Sequence, residues 1–297
     1  MTTDSTLRAG LVQMRAGVDT ARNRAQVERH LQAAADQGVR LVLLQELHDG
    51  PYFCQVEDPA NFDRAEPVPG PASDWLGGLA ARHGLVIVGS VFEKRAAGLY
   101  HNTAVVLDSD GRLAGRYRKM HIPDDPGYHE KFYFTPGDLG FTPIDTSVGR
   151  LGVLVCWDQW YPEAARLMTL AGADLLLYPT AIGWDPADDD AERRRQFDAW
   201  RCVQRGHAVA NGLPLLASNR TGFEADPSGA TAGIDFWGGS FACGPQGELL
   251  AEAGHDEERL LVADLDLARN EQVRRIWPFL RDRRIDAYTD LSLRFRE

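Results

Sequence analysis

Three side chains of complementary chemistry stand where strand-like runs end. Glu46 closes Leu41-Val-Leu-Leu-Gln-Glu, Lys119 follows Gly115-Arg-Tyr-Arg118, and Cys156 follows Leu151-Gly-Val-Leu-Val155. A carboxylate at the end of an apolar run is partly desolvated, which moves its pKa up towards that of a useful general base. A thiol at a strand end, just ahead of a helix start at Tyr161-Pro-Glu163, can have an exposed sulfur and a lowered pKa. Proline suits the first helical turn, and glutamate suits its positive end. A lysine beside both groups can stabilise a developing oxyanion. Each residue also has a plainer reading: a loop-capping acid, a solvated lysine, an inert strand cysteine. Only their convergence on one cleft makes a site. Cys54, in Tyr-Phe-Cys, follows no clear strand and reads as a structural or loop residue. Cys202 and Cys243 read as packed interior positions.

Other constellations carry less. His121, Asp124, Asp125, His129 and Glu130 form a polar cluster, but its spacing matches neither His-Glu-x-x-His nor paired Cys-x-x-Cys. Turn chemistry accounts for much of Pro123-Asp-Asp-Pro-Gly127, so no metal is expected. Gly77-Gly78 and Gly238-Gly239 lack the strand–loop–helix setting of a phosphate loop, and no Gly-x-Ser-x-Gly is present. A Cys-His peptidase using Cys156 with His121 or His129 lacks a papain-like local motif.

The elements that must hold these residues repeat one junction four times. Ala21–Gln37, Ala72–His83, Pro162–Ala171 and Arg193–Asn211 read as helices, ending at Gly38, Gly84, Gly172 and Gly212. Glycine is the usual residue for the left-handed turn that closes a helix. The runs that follow (Leu41–Leu44, Leu85–Val88, Leu175–Tyr178, Leu213–Ala217) are continuously apolar, which suits strands covered on both faces. Further strands are expected at Leu7–Gln13, Asn102–Leu107, Leu151–Cys156, Ser240–Cys243 and Leu260–Asp264. Asp110-Gly111 reads as a hairpin turn. About ten strands and five helices in alternation give a layered α/β fold. Chemistry in such folds collects past the C-terminal ends of strands. Asp185–Arg195 reads as an exposed loop entering a helix.

The 297 residues show no linker or repeat, so one domain is expected over 1–297, with a core of about 7–265 and a C-terminal extension over 266–297. Lys plus Arg is 32 against 43 for Asp plus Glu, a net charge of −11, which disfavours general nucleic-acid binding and favours cationic partners. The runs Arg193–Arg195 and Arg281–Arg284 therefore read as solvated faces or subunit contacts. No apolar run approaches the ~18 residues of a membrane helix. No basic-then-apolar leader opens the chain, and four cysteines make no disulfide framework. A cytoplasmic protein is expected.

Glu46, Lys119 and Cys156, in that order, resemble the Glu-Lys-Cys triad of the nitrilase (carbon–nitrogen hydrolase) superfamily. The segments Gly115–Pro123, Gly152–Glu163 and His129–Gly137 resemble its lysine, nucleophile and second-glutamate segments, the last carrying Glu130. Gln45-Glu-Leu47, Pro51–Gln55, Asp124–Tyr128, Cys156–Trp160, Tyr178–Gly183 and Ala217–Arg220 resemble the branch that acts on N-carbamoylputrescine. One departure is Trp184-Asp185-Pro186, where plant relatives tend to have Ser-Glu-Pro. The resemblance, from about Leu7 to Leu291, implies a four-layer α-β-β-α sandwich. It also implies homo-oligomers built on a dimer, with the extension in subunit contacts, and no cofactor or metal. It implies hydrolysis of the carbamoyl group of N-carbamoylputrescine to putrescine, carbon dioxide and ammonia. Glu46 would be the base, Cys156 the nucleophile, and Lys119 with the Trp157 backbone N–H the oxyanion donors. Glu130 would orient Lys119 or the substrate amide. Asp185, Tyr52 and Trp184 are the expected substrate contacts, Asp185 for the ammonium and the two rings for the methylene path. The alternative is another ureidase or amidase of the superfamily, of the β-ureidopropionase or N-carbamoyl-amino-acid hydrolase type. Whether Arg220 reaches the pocket is left open.

Overall fold

The structure is a computed structural model and describes residues 6–296. The first five residues of the chain start lie outside the described residues. In chain order the elements are β1 (Thr6–Gln13), α1 (Thr20–Asp36), β2 (Leu41–Leu43), α2 (Pro71–His83), β3 (Val86–Ala96), β4 (Leu99–Leu107), β5 (Leu113–Arg118), α3 (Glu130–Tyr133), β6 (Ile144–Thr146), β7 (Gly149–Val153), α4 (Pro162–Leu170), β8 (Leu175–Thr180), β9 (Gly183–Trp184), α5 (Asp190–Asn211), β10 (Leu215–Asn219), β11 (Thr221–Glu224), β12 (Ile234–Trp237), β13 (Phe241–Cys243), β14 (Leu249–Glu252), β15 (Arg259–Asp266) and α6 (Ala268–Ile276).

The strands form two six-stranded sheets, ordered β15-β1-β2-β3-β4-β5 and β14-β13-β10-β8-β7-β6, and a small sheet β11-β12-β9. Side-chain alternation explains the layering. Leu41 and Leu43 of β2 enter the core shared with the second sheet, together with Leu151, Val153, Leu175 and Leu177. Val42 and Leu44 point the other way, onto Val27 and Leu31 of α1 and Leu76 and Leu79 of α2. Helices α4 and α5 cover the outer face of the second sheet. The result is the expected α-β-β-α sandwich. Burying each such aliphatic side chain contributes about 1.5–3 kcal/mol.

Local chemistry sets the boundaries. Asp19 caps α1 by accepting from Arg22 N, and Asp189 caps α5 by accepting from Ala191 N and Glu192 N. Gly38, Gly84, Gly172 and Gly212 all have positive φ, as the helix-stop pattern requires. Two differences from the sequence reading matter. The short strands β6, β9, β11, β12 and β14 escape it, because two to four residues carry too little periodicity. The nucleophile strand also stops at Val153, and Cys156 opens a 3₁₀ turn, Cys156–Trp160.

Candidate active site

The triad residues arrive from three different strand ends and all are buried. Glu46 lies past β2, Lys119 past β5, and Cys156 past β7. Lys119 Nζ lies 2.9 Å from Glu46 Oε1 and 2.6 Å from Glu130 Oε2. Glu130 opens α3, and its Oε1 accepts the Tyr52 hydroxyl at 2.7 Å. Asn102 Nδ2 donates to Glu46 Oε1 at 2.6 Å, while Glu46 Oε2 is buried without a partner. That second oxygen is the one left to take a proton. The Cys156 thiol meets the Ala181 carbonyl at 3.6 Å.

Two backbone positions are strained. Leu47 and Cys156 have φ of 48° and 43°, which side chains with a Cβ seldom adopt and which cost on the order of 1–3 kcal/mol. Arg220 holds the first. Its Nη2 donates to the carbonyls of Glu46 at 3.2 Å and Leu47 at 2.8 Å, and its Nη1 pairs with Glu224 at 2.6 Å. Arg220 is therefore a buried clamp behind Glu46, not a cation lining the pocket. Leu47 N also donates to Ser90 Oγ at 3.1 Å, and Ser90 donates to Asn102 Oδ1 at 3.0 Å. The base thus sits in a hydrogen-bonded frame.

The electrostatics follow from burial. Desolvation pushes the Lys119 ammonium down, but Glu130, Glu46 and the thiol overcome it and hold the pKa well above the usual lysine value. Desolvation lifts Glu130 to about 7, with Lys119 opposing and Glu46 adding. Burial likewise pushes the Cys156 thiol well above its usual value; Glu46 adds to this and Lys119 opposes it. This reverses the expected exposed, acidified thiol. In the free protein Cys156 is a neutral SH, so a nucleophile arises only as a base removes its proton. An amide carbonyl placed between Sγ and Nζ would meet a nucleophile, a base and an ammonium with no water needed.

Cys156 opens into a cavity of about 520 Å³. Trp157, Trp160, Trp184, Ile182, Ile234 and Trp237 give it apolar walls, and Asp125, Asp185 and Asp188 are its charged lining. No lysine or arginine lines it among the described residues. Trp157 and Asp185 both line this cavity. Asp185 is exposed at the rim, and its Oδ1 accepts from Ala187 N at 2.8 Å. One face of Trp184 is already taken by Arg193, 5.1 Å above the ring. Tyr52 differs: it is fully buried behind the cavity and supports Glu130. The polar cluster disperses. His121 turns to Asp158, His129 lies 3.9 Å from Asp124, and Glu130 joins Lys119. Cys202 is also corrected: it is exposed on α5, whereas Cys54 and Cys243 are buried. Sequence reasoning missed Asn102 and Tyr128. An asparagine at the head of the strand-like run Asn102-Thr-Ala-Val-Val-Leu107 was the available signal, and the structure buries it fully. Tyr128 accepts from Gly183 N at 2.9 Å and lines the cavity floor near Cys156.

Comparison with known proteins gives the family. The carbon-nitrogen hydrolase family model matches residues 8–275. The N-carbamoylputrescine amidase of Solanum lycopersicum is 48% identical over 272 residues, 91% of this chain and 89% of its own. The citrullinase of Francisella tularensis is 40% identical over 291 residues, 97% of this chain and 99% of its own. A crystal structure of a carbon-nitrogen hydrolase from Helicobacter pylori G27 superposes with a TM-score of 0.95 at 53% identity, covering 98% of this chain and 100% of that one. With its four-layer sandwich and its buried Glu46, Lys119 and Cys156, this chain belongs to the carbon-nitrogen hydrolase family of the nitrilase superfamily.

Proposed function

We propose that this enzyme hydrolyses the carbamoyl group of N-carbamoylputrescine to putrescine, carbon dioxide and ammonia. One observation carries the substrate class: the cavity over Cys156 holds three aspartates and no basic side chain among its described lining residues. A cation leaving water needs an anionic partner, whereas a carboxylate-bearing ureide would meet only repulsion. The 48% identity to a tomato N-carbamoylputrescine amidase supports the same reading. Glu46 takes the thiol proton as Cys156 attacks the carbamoyl carbon. Lys119 and the Trp157 N–H stabilise the oxyanion. Collapse expels ammonia, with Glu46 returning the proton, and leaves a thiocarbamate on Cys156. Water, deprotonated by Glu46, releases a carbamate that falls apart to carbon dioxide and putrescine. Glu130 holds Lys119 in place throughout. The four free cysteines fit a reducing, cytoplasmic setting.

The ureido end must lie at Cys156, so four methylenes place the ammonium ~6 Å further out. We assign it to Asp185. Asp185→Asn should raise KM with a smaller effect on kcat, a loss of about ten- to a hundred-fold in kcat/KM, because the contact is remote from the bond that breaks. The experiment is ammonia release from N-carbamoylputrescine, N-carbamoyl-β-alanine, citrulline and a neutral alkylurea. The alkylurea should be insensitive to the substitution. Equal losses on both, or none, would remove Asp185 from the site. A preference for N-carbamoyl-β-alanine or citrulline would move the substrate to an amino-acid ureide.

The enzyme is also inferred to form homo-oligomers built on a dimer. Leu167 and Leu170 on α4, Ile276 at the end of α6, and Trp277 and Phe279 beyond it are large apolar side chains left exposed. A second copy is the partner this reading assigns to them. Light scattering at micromolar concentration should return at least twice the chain mass; a monomer would remove this face from the reading.

A further inference from the structure

Lys119 and Cys156 come from different sheets, so whatever ties β5 to the turn after β7 sets their separation. One buried carboxylate makes that tie. Asp158 is fully buried. Its Oδ2 accepts from Val155 N at 2.9 Å and from the Tyr117 hydroxyl at 2.9 Å. Its Oδ1 meets His121 N at 3.0 Å and His121 Nδ1 at 2.7 Å. A carboxylate of this kind only accepts, so Nδ1 carries the proton. The pattern is symmetrical. Tyr117 and His121 bracket Lys119 in sequence, and Val155 and Asp158 bracket Cys156. The far face of the His121 ring is stacked on Tyr161, with centroids 3.7 Å apart and planes 6° apart. Four donors thus converge on one anion, a number that an asparagine oxygen cannot accept.

We propose that Asp158, with Tyr117 and His121, is a positioning brace that fixes where the Lys119 ammonium stands relative to the Cys156 sulfur. The brace also holds the left-handed backbone of Cys156, because Val155 and Asp158 anchor both sides of that residue. None of the three acts on the substrate itself. The proposal rests on the catalytic assignment of Lys119 and Cys156 above.

The test uses a Cys202→Ser background, which removes the exposed thiol, and titrates Cys156 with iodoacetamide to count competent sites. In that background, activity should fall in proportion to Cys156 alkylation. Activity that survives full alkylation would sink the catalytic assignment, and the brace with it. Given that assignment, kcat per titratable Cys156 should fall about ten-fold in Tyr117→Phe and about a hundred-fold in Asp158→Asn, with KM nearly unchanged, because a displacement near 1 Å is enough for such losses. A purely structural role predicts otherwise: a lower melting temperature and fewer titratable sites, but a kcat per site equal to that of the parent. That result overturns the brace. Should Asp158→Asn fail to fold, Tyr117→Phe decides the matter, since it deletes one hydroxyl and keeps the ring in the core.

Discussion

Cys156→Ser should lower kcat by at least about 10⁴-fold while leaving the melting temperature and circular dichroism those of the parent. The substitution changes one atom, and a serine hydroxyl can keep the contact that the thiol makes with the Ala181 carbonyl. The fold therefore has no reason to give way. Chemistry does. Burial and the neighbouring carboxylates already hold the thiol neutral, so attack depends on Glu46 taking the proton as the bond forms. A hydroxyl is several pKa units harder to deprotonate than a thiol, and no histidine is placed here to help. Ammonia release within ten-fold of the parent would place the nucleophile elsewhere. Alkylation gives an independent reading. Cys202 is exposed and should react first with iodoacetamide, without loss of activity. Cys156 should react more slowly, with loss in proportion, while buried Cys54 stays unlabelled. Loss that follows Cys54 instead would name a different nucleophile.

The sequence made the triad legible because each member follows a strand-like run, apolar before Glu46 and Cys156, and chemistry in such folds collects past strand ends. The helix stops were legible for a related reason: Gly38, Gly84, Gly172 and Gly212 take backbone angles that other residues resist. What could not be read is which side of each group the interior lies on. Cys156 looked exposed because strand ends usually are, yet it is buried, and the cavity it opens into is walled by the Asp125–Tyr128 and Thr231–Ile234 segments from distant parts of the chain. Arg220 was ambiguous for the same reason. Nothing in Ala217-Ser-Asn-Arg220 tells that its guanidinium turns back onto the Glu46–Leu47 turn, 174 residues away. Cys202 was a different kind of miss, and an avoidable one. The buried residues of α5 include Trp200, Gln204, His207, Ala208 and Asn211, a 3.6-residue stripe that leaves position 202 on the opposite face.

Lys119→Met should lower kcat by about 10³-fold or more and should also make stability fall as pH rises. Among the described residues Lys119 is the one cation paired with the Glu46 and Glu130 carboxylates, and all three side chains are fully buried. Methionine fills nearly the same volume, so packing survives, but two carboxylates then share a dry cleft without a counter-charge. Breaking a buried pair in this way costs about 3–5 kcal/mol. The pair lowers that cost by binding protons, so its folded-state pKa values rise above their unfolded values near 4.3. A carboxylate raised in this way contributes most below its unfolded pKa, and the contribution is lost as pH rises through the folded one. The variant should therefore melt progressively earlier, relative to the parent, between pH 5 and pH 8. Its activity cannot recover at the acid end, where the oxyanion still lacks its ammonium. Nor can it recover at the alkaline end, where the oxyanion still lacks its ammonium and now faces two negative charges. Two measurements decide it: melting temperature against pH, and kcat against pH for parent and variant. A variant whose melting curve tracks the parent across that range would mean that the carboxylates are neutralised by some other group. The lysine would then be an ornament of the site and not its charge balance.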